Sequence, residues 1–274
     1  MGEEQILGVT KIVNALLGKP ALALLALLHI TPDNPKYPIT NSFSMELLVV
    51  LLAVLFFLWL KTRISVDRPG PTQQTMELVL TNSMGIGVKD LVDDIVGHGA
   101  ERHIPIVATI GIFILFSNMI SLVPGLASPT ATITVPLGLA VIVFLYYNAV
   151  GIGTLGALHY AKTLLGPMPK LFPINIIMLV VETVSHFARL LSLSVRLWAN
   201  MMVSELLYVS FLALSLSVFA FASHLNPAGY ATGVVPIAIP LILALLHVFV
   251  AFLQAFIFSI LAIVYLSLAS AEEH

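Results

Sequence analysis

The sequence predicts an all-α integral membrane protein, and three observations carry that expectation. Hydrophobic residues make up 59% of the chain and charged residues only 9%, with a mean hydropathy of +1.03, which is more apolar than a water-facing fold sustains. Apolar residues are gathered into runs such as Met45 to Leu60 and Ile104 to Val123, close to the length that a hydrocarbon core of about 30 Å demands of a helix. From Ile174 to Leu225 neither glycine nor proline interrupts the chain, so one helix of about fifty residues is expected there. The architecture that follows has about five membrane-embedded helices and one surface amphipathic helix. Its last two embedded helices form a long, steeply tilted hairpin.

Residues 1–42 read as an outer-side N-terminal segment, polar and proline-bearing apart from Ala21 to Ile30. A run of that length is too short to cross the membrane, so an interfacial segment is expected. Lys11 and Lys19 ahead of the run admit a signal peptide as the competing reading, although His29 to Pro38 offers no clear small-residue cleavage site. Residues 43–274 read as one membrane domain, with spans at 45–60, 104–123, 133–152, 174–222 and 236–268. Lys61 and Arg63 close the first span, and within the loop at 61–103 the mixed apolar and acidic pattern of Thr75 to Val96 suits a helix lying on the membrane surface. The second and third spans make a hairpin around Pro124 to Pro129. The fourth and fifth, joined by the turn Asn226, Pro227, Ala228, Gly229, are too long to stand upright and must tilt steeply or leave the membrane.

Basic residues orient the chain. The loops at 61–103 and 158–172 hold Lys61, Arg63, Arg68, Lys89, Arg102, Lys162 and Lys170, whereas those at 124–132 and 223–235 hold no Lys or Arg. The two basic loops are therefore expected on the cytoplasmic side. Lys11, Lys19 and Lys36 in the N-terminal segment weaken this bias without reversing it. A net charge of −2 and the absence of a Lys/Arg-rich run exclude nucleic acid as a partner. With no cysteine in the chain, disulfides and cysteine-based metal or redox sites are excluded as well.

Chemistry concentrates on the long helix. Glu182, His186, Arg189, Arg196 and Glu205 lie within an otherwise apolar segment, and each charge at membrane depth costs about 2.5 to 3.5 kcal/mol on insertion scales, which makes it a functional candidate. At 3.6 residues per turn Arg189 falls about 20° from Arg196 around the axis, and Glu182 and Asn200 about 40° from it, whereas Glu205 falls about 180° away. Neither carboxylate is placed to neutralise Arg196 within one turn, so that arginine needs a partner from another helix or another chain. Competing readings are snorkelling of Arg189 and Glu182 to the interface, packing for His186, and a structural ion pair for Arg196 and Glu205. On the last span His247, Gln254 and Tyr265 form a polar stripe, all within about 20° of one another around the axis. Antiparallel pairing about residue 227 would bring Glu205 towards His247, and Arg196 to within about a turn and a half of Gln254.

These residues carry a resemblance. The string Val195, Arg196, Leu197, Trp198, Ala199, Asn200, Met201, with Glu205 and Leu206 after it, resembles the arginine motif of subunit a of the F-type ATP synthases. Leu253 to Phe258 leading to Ile263, Val264, Tyr265, Leu266 resembles that family's C-terminal signature. Pro69, Gly70, Gln73, Glu77, Asn118, Pro124, Pro129, Thr130 and Ala131 are weaker matches, and the likeness covers about residues 40–274. Ala199 stands where the family usually has glycine, Leu190 where proline commonly follows the basic residue, and Ser121 where an aspartate often occurs.

The resemblance implies a non-catalytic subunit of a proton-translocating ATP synthase, multi-pass in a bacterial plasma (inner) membrane and surrounded by lipid. It would stand beside a ring of c subunits, braced by peripheral-stalk b subunits and coupled through the stalks to the F1 sector. It implies neither cofactor nor metal. Arg196 would be the essential arginine, Glu205, Asn200, His247 and Gln254 would line the path from the outer side, and Glu182 the path to the cytoplasm. Arg189, His186 and Tyr265 are secondary candidates. The physics agrees, because a rotor carboxylate must be neutral against lipid and can ionise only beside a permanent cation. The rivals fit less well: a secondary transporter predicts repeats and broken helices, the enzyme motifs HExxH and GxSxG are absent, and a pure scaffold would tolerate loss of Arg196.

Overall fold

The structure is a computed structural model that describes residues 6–32, 34–65, 69–71, 73, 74, 77, 92–95, 100–163, 174–225 and 234–270. Among the described residues the secondary structure is helical throughout, with no strand. The principal helices are α1 (Gly8–Leu27), α2 (Asn41–Lys61), α3 (Ile104–Met119), α4 (Thr134–Leu155), α5 (Ala157–Thr163), α6 (Ile174–Leu225) and α7 (Val234–Ser270). Two 3₁₀ turns, Ile120–Leu122 and Pro129–Ala131, lie between α3 and α4. α1, α2, α4, α6 and α7, and α3 taken together with the 3₁₀ turn that follows it (Ile104–Leu122), are long and apolar enough to cross a membrane.

α1 is the helix the sequence reading did not expect. Its 20 residues rise about 30 Å at 1.5 Å each. Ahead of Pro20, the apolar residues Val9, Ile12, Val13, Leu16 and Leu17 alternate with Thr10, Lys11, Asn14 and Lys19. A search for unbroken hydropathy therefore sees only the part after the proline. Asn14 anchors the helix: its amide donates to Thr10 O at 2.8 Å and Ile39 O at 3.0 Å and accepts from Ile39 N at 3.0 Å.

The long helices agree with expectation. α6 has 52 residues, about 78 Å of helix, and runs unbroken through Leu190 and Ala199. α7 has 37 and accommodates Pro240 in its interior. The proposed surface helix at 75–96 lies mostly outside the described residues, of which Val92 to Ile95 are helical. The turn at 226–229 also lies outside them.

The chain forms two compact units. The first comprises residues 1–58, 113–132 and 201–252, and the second 59–112, 133–200 and 253–274. In the first, Met45, Val49 and Ile120 make a buried core, with Leu7, Val9, Leu48, Phe113, Phe116 and Leu126 packed on it. In the second, Val92, Val107 and Ile263 form the core, and Ser267 Oγ donates to Ile95 O at 2.7 Å. Gly151 on α4 lets that helix pack closely, because a Cβ there would sit 2.5 Å from the Tyr160 ring and 3.0 Å from Ala269 O. Gly156, at φ +79°, makes the break between α4 and α5 that a residue with a side chain would resist.

Candidate functional site

In the first unit, polar side chains gather where α3 ends and the 3₁₀ turns begin. α7 places His247 in complete burial, and three groups meet its ring. Nε2 lies 3.1 Å from Asn118 O and 3.0 Å from Ser121 Oγ, while Nδ1 lies 2.8 Å from Ser204 Oγ. A carbonyl only accepts, so Nε2 carries the proton and Nδ1 accepts from the Ser204 hydroxyl. Ser121 Oγ donates onward to Asn118 O at 3.1 Å, which closes a triangle at the Nε2 end. Tyr208, from α6, tilts its ring against the imidazole at 6.2 Å.

Glu205, also on α6, is half-buried and is held by backbone. Ser128 N–H donates to both carboxylate oxygens, at 3.3 and 3.2 Å. Ser128 Oγ donates to Ser117 O at 2.8 Å and meets Thr130 Oγ1 at 2.7 Å, and Thr130 Oγ1 lies 2.6 Å from the Asn118 side-chain amide. Thr130 Oγ1 donates to Asn118 Oδ1, and Ser128 Oγ donates to the Ser117 carbonyl. Glu205 and His247 are thus joined through Ser128, Thr130 and Asn118. Among the described residues, Ser117 Oγ and Asn118 Nδ2 have no hydrogen-bond partner. Buried polar atoms of that kind are where a protein takes up water.

The second unit holds another histidine in a different setting. His186 Nε2 lies 3.4 Å from Glu182 Oε1, and Arg189 Nη2 lies 3.6 Å from the same oxygen. The Tyr147 hydroxyl meets His186 Nδ1 at 3.1 Å. The carboxylate fixes the Nε2–H tautomer, and Tyr147 donates to Nδ1. Tyr265 stacks obliquely on Tyr147 at 6.0 Å and lies beneath the Arg189 guanidinium at 5.9 Å. Tyr160, on α5, donates to Asn148 Oδ1 at 2.8 Å. Burial pushes the Tyr160 phenol above its usual range, with Arg189 opposing and Glu182 adding. Just ahead of α3, His103 Nδ1 meets Tyr146 OH at 2.7 Å. Burial first, then the charge of Arg102, hold His103 below the ordinary histidine range.

Arg196 contrasts with both clusters. It is exposed on α6, and among the described residues it makes no ion pair or hydrogen bond. Gln254 is buried. Asn200, one turn on from Arg196, is exposed as well. Among the described residues no three His, Asp, Glu or Cys side chains converge as a metal site.

Sequence reading assigned no role to Ser117, Ser121, Ser128, Ser204, Tyr147 or Tyr208. The signal was faint but present: several small hydroxyl residues beside Asn118 stand at the end of an otherwise apolar span, where lipid-facing chain would carry none.

Comparison with known proteins agrees with these features. Residues 43–267 match the family described as ATP synthase A chain. The chain is 36% identical over 265 residues to the ATP synthase subunit a of Koribacter versatilis, covering 97% of each. It is 39% identical over 252 residues to that of Solibacter usitatus, covering 92% of this chain and 95% of the relative. The Campylobacter jejuni protein is 37% identical over 234 residues, covering 85% and 92% respectively. With its long apolar helices and a match extending over almost all of them, this chain belongs to the ATP synthase A chain family, the non-catalytic membrane subunit of that complex.

Proposed function

We propose that Arg196 is the fixed charge of the F0 proton-channel stator subunit, separating two aqueous half-paths that meet a rotating ring of c subunits. One observation carries this reading above the others. Arg196 is an exposed guanidinium without an ion pair or hydrogen bond among the described residues, on a helix that is otherwise largely apolar. An isolated cation at membrane depth costs several kcal/mol, and a carboxylate brought from another chain offsets that cost. A ring carboxylate is neutral against lipid, ionises beside Arg196, and cannot pass it without exchanging its proton.

Along α6, Glu182 precedes Arg196 and Glu205 follows it. Glu205, His247, Asn200 and Gln254 would serve the path from the outer side, and Glu182 with His186 the path to the cytoplasm. Arg189 would pair with Glu182, and Tyr265 would shelter Arg189. The loops at 61–103 and 158–172 would face the cytoplasm of a bacterial plasma membrane. Peripheral-stalk b subunits would brace the chain, and the F1 sector would receive the rotation. H⁺ is the coupling ion this reading favours.

Replacement of Arg196 by alanine tests it directly. The complex should assemble, and ATP-driven proton pumping in membrane vesicles should be abolished. Normal coupled pumping by that variant would return Arg196 to a structural role and leave the chain a scaffold.

A further inference from the structure

Resting on the reading above, we propose that His247 exchanges its proton at one end only, Nδ1, and that Ser204 is the group that passes it. The two ring nitrogens have unlike surroundings. Nε2–H faces Asn118 O at 3.1 Å and Ser121 Oγ at 3.0 Å, and Ser121 itself donates to Asn118 O. A peptide carbonyl cannot hand a proton on, so this end holds the ring and conducts nothing. At the other end Nδ1 meets Ser204 Oγ at 2.8 Å, a hydroxyl that can donate and accept in turn. Ser204 is half-buried, whereas His247 is fully buried, so the serine is the more accessible of the two. Among the described residues, no charged side chain is a hydrogen-bond partner of His247.

The step balances without any other reactant. A hydronium ion in the outer path gives a proton to Ser204 Oγ as the serine's own O–H bond breaks and an Nδ1–H bond forms. Water is left behind, and the serine ends as the neutral hydroxyl it began as. The imidazolium keeps its Nε2–H on Asn118 O and Ser121 Oγ throughout, so the ring need not flip. Release runs back through Nδ1 and Ser204 Oγ, with the serine handing its proton to a different water on the Glu205 side, so the proton advances although the ring uses one port. Ser204 is then a relay, whereas Ser121 and the Asn118 carbonyl are positioning groups that keep Nδ1 aimed at it.

The test is ATP-driven proton pumping by the whole complex in vesicles, normalised to assembled complex, for Ser204→Ala, Ser204→Thr, Ser121→Ala and His247→Ala. Ser204→Ala should lower pumping about tenfold, close to the level of His247→Ala, and Ser204→Thr should restore most of it by returning a hydroxyl. Ser121→Ala should cost less than about threefold, because the carbonyl still holds Nε2–H. Equal damage from Ser121→Ala and Ser204→Ala would mean that the ring conducts from end to end, and would overturn the one-ended site. A threonine variant as slow as the alanine variant would overturn the relay by making Ser204 a matter of packing. If His247→Ala lost pumping while Ser204→Ala kept it, the outer-path reading would stand and the relay would fall. Normal pumping by His247→Ala would bring down that reading and the relay together.

Discussion

His247 and His186 have the same tautomer and opposite company. Both carry the proton on Nε2 and accept a hydroxyl proton at Nδ1, from Ser204 at 2.8 Å and from Tyr147 at 3.1 Å. His247 is fully buried, and its hydrogen-bond partners are neutral: two serine hydroxyls and a carbonyl. His186 sits beside the Glu182 carboxylate, whose side chain is 35% exposed, with Arg189 on the same oxygen. The difference teaches where each proton path is vulnerable. Among the described residues the buried ring touches only hydroxyls and a carbonyl, and Glu205 reaches it through Ser128, Thr130 and Asn118, whereas His186 has a half-exposed carboxylate directly beside it.

The comparison breaks most visibly if the two clusters open to the same side. Since the chain has no cysteine, single cysteines at Asn200, Glu205, His247 and Gln254 should react with a small thiolate-seeking ion supplied from the outer side. A cysteine at Glu182 should react from the cytoplasm. The expected contrast is nearly all or none. Comparable labelling of positions 182 and 205 from one side would describe a continuous pore and remove any need for Arg196 as a barrier.

Most of the helical scaffold was legible in the sequence because lipid leaves few alternatives: a backbone without water must satisfy its own hydrogen bonds. The unbroken stretch from Ile174, the C-terminal end of α2 and the start of α4 followed from hydropathy and breakers alone. α1 escaped because its apolar positions alternate with Thr10, Lys11, Asn14 and Lys19, and its anchor is a long-range contact between Asn14 and Ile39 that no local pattern reveals. The candidate site was half legible. Ionisable residues in an apolar helix announce themselves by their cost, so Glu182, Arg189, Arg196 and Glu205 were found. Serines cost little at any position, so Ser121, Ser128 and Ser204 became visible only when folding set them against His247 and Glu205. His186 stood only as a secondary candidate beside a packing role because its partner Tyr147 lies 39 residues away.

A smaller effect sharpens the contrast between the histidines. Replacing His186 with alanine should slow pumping only about threefold, since Glu182 keeps its exposure and Arg189 remains beside it. That value should sit well above the residue left by His247→Ala in the same vesicles. A loss from His186→Ala as deep as that from His247→Ala would show that Glu182 cannot act alone. The two clusters would then share one design, and the exposure of Glu182 would not matter.

Tyr147→Phe asks the finest question, whether the phenol beside His186 conducts or merely orients. Tyr147 is buried, and its ring is packed by Phe144 at 5.4 Å and Tyr265 at 6.0 Å. Phenylalanine keeps those contacts and removes only the oxygen that meets His186 Nδ1. An orienting hydroxyl accounts for about 1 kcal/mol of stability, so the variant should melt slightly earlier and pump within about twofold of the parent, because Glu182 still receives Nε2–H. His186 would lose its donor at Nδ1 and keep its place through the carboxylate. If the phenylalanine variant instead pumped as poorly as Ser204→Ala, the hydroxyl at Nδ1 would be the working port in both units. His186 would then have to be regarded as a second one-ended site, with Tyr147 in the position that Ser204 holds beside His247.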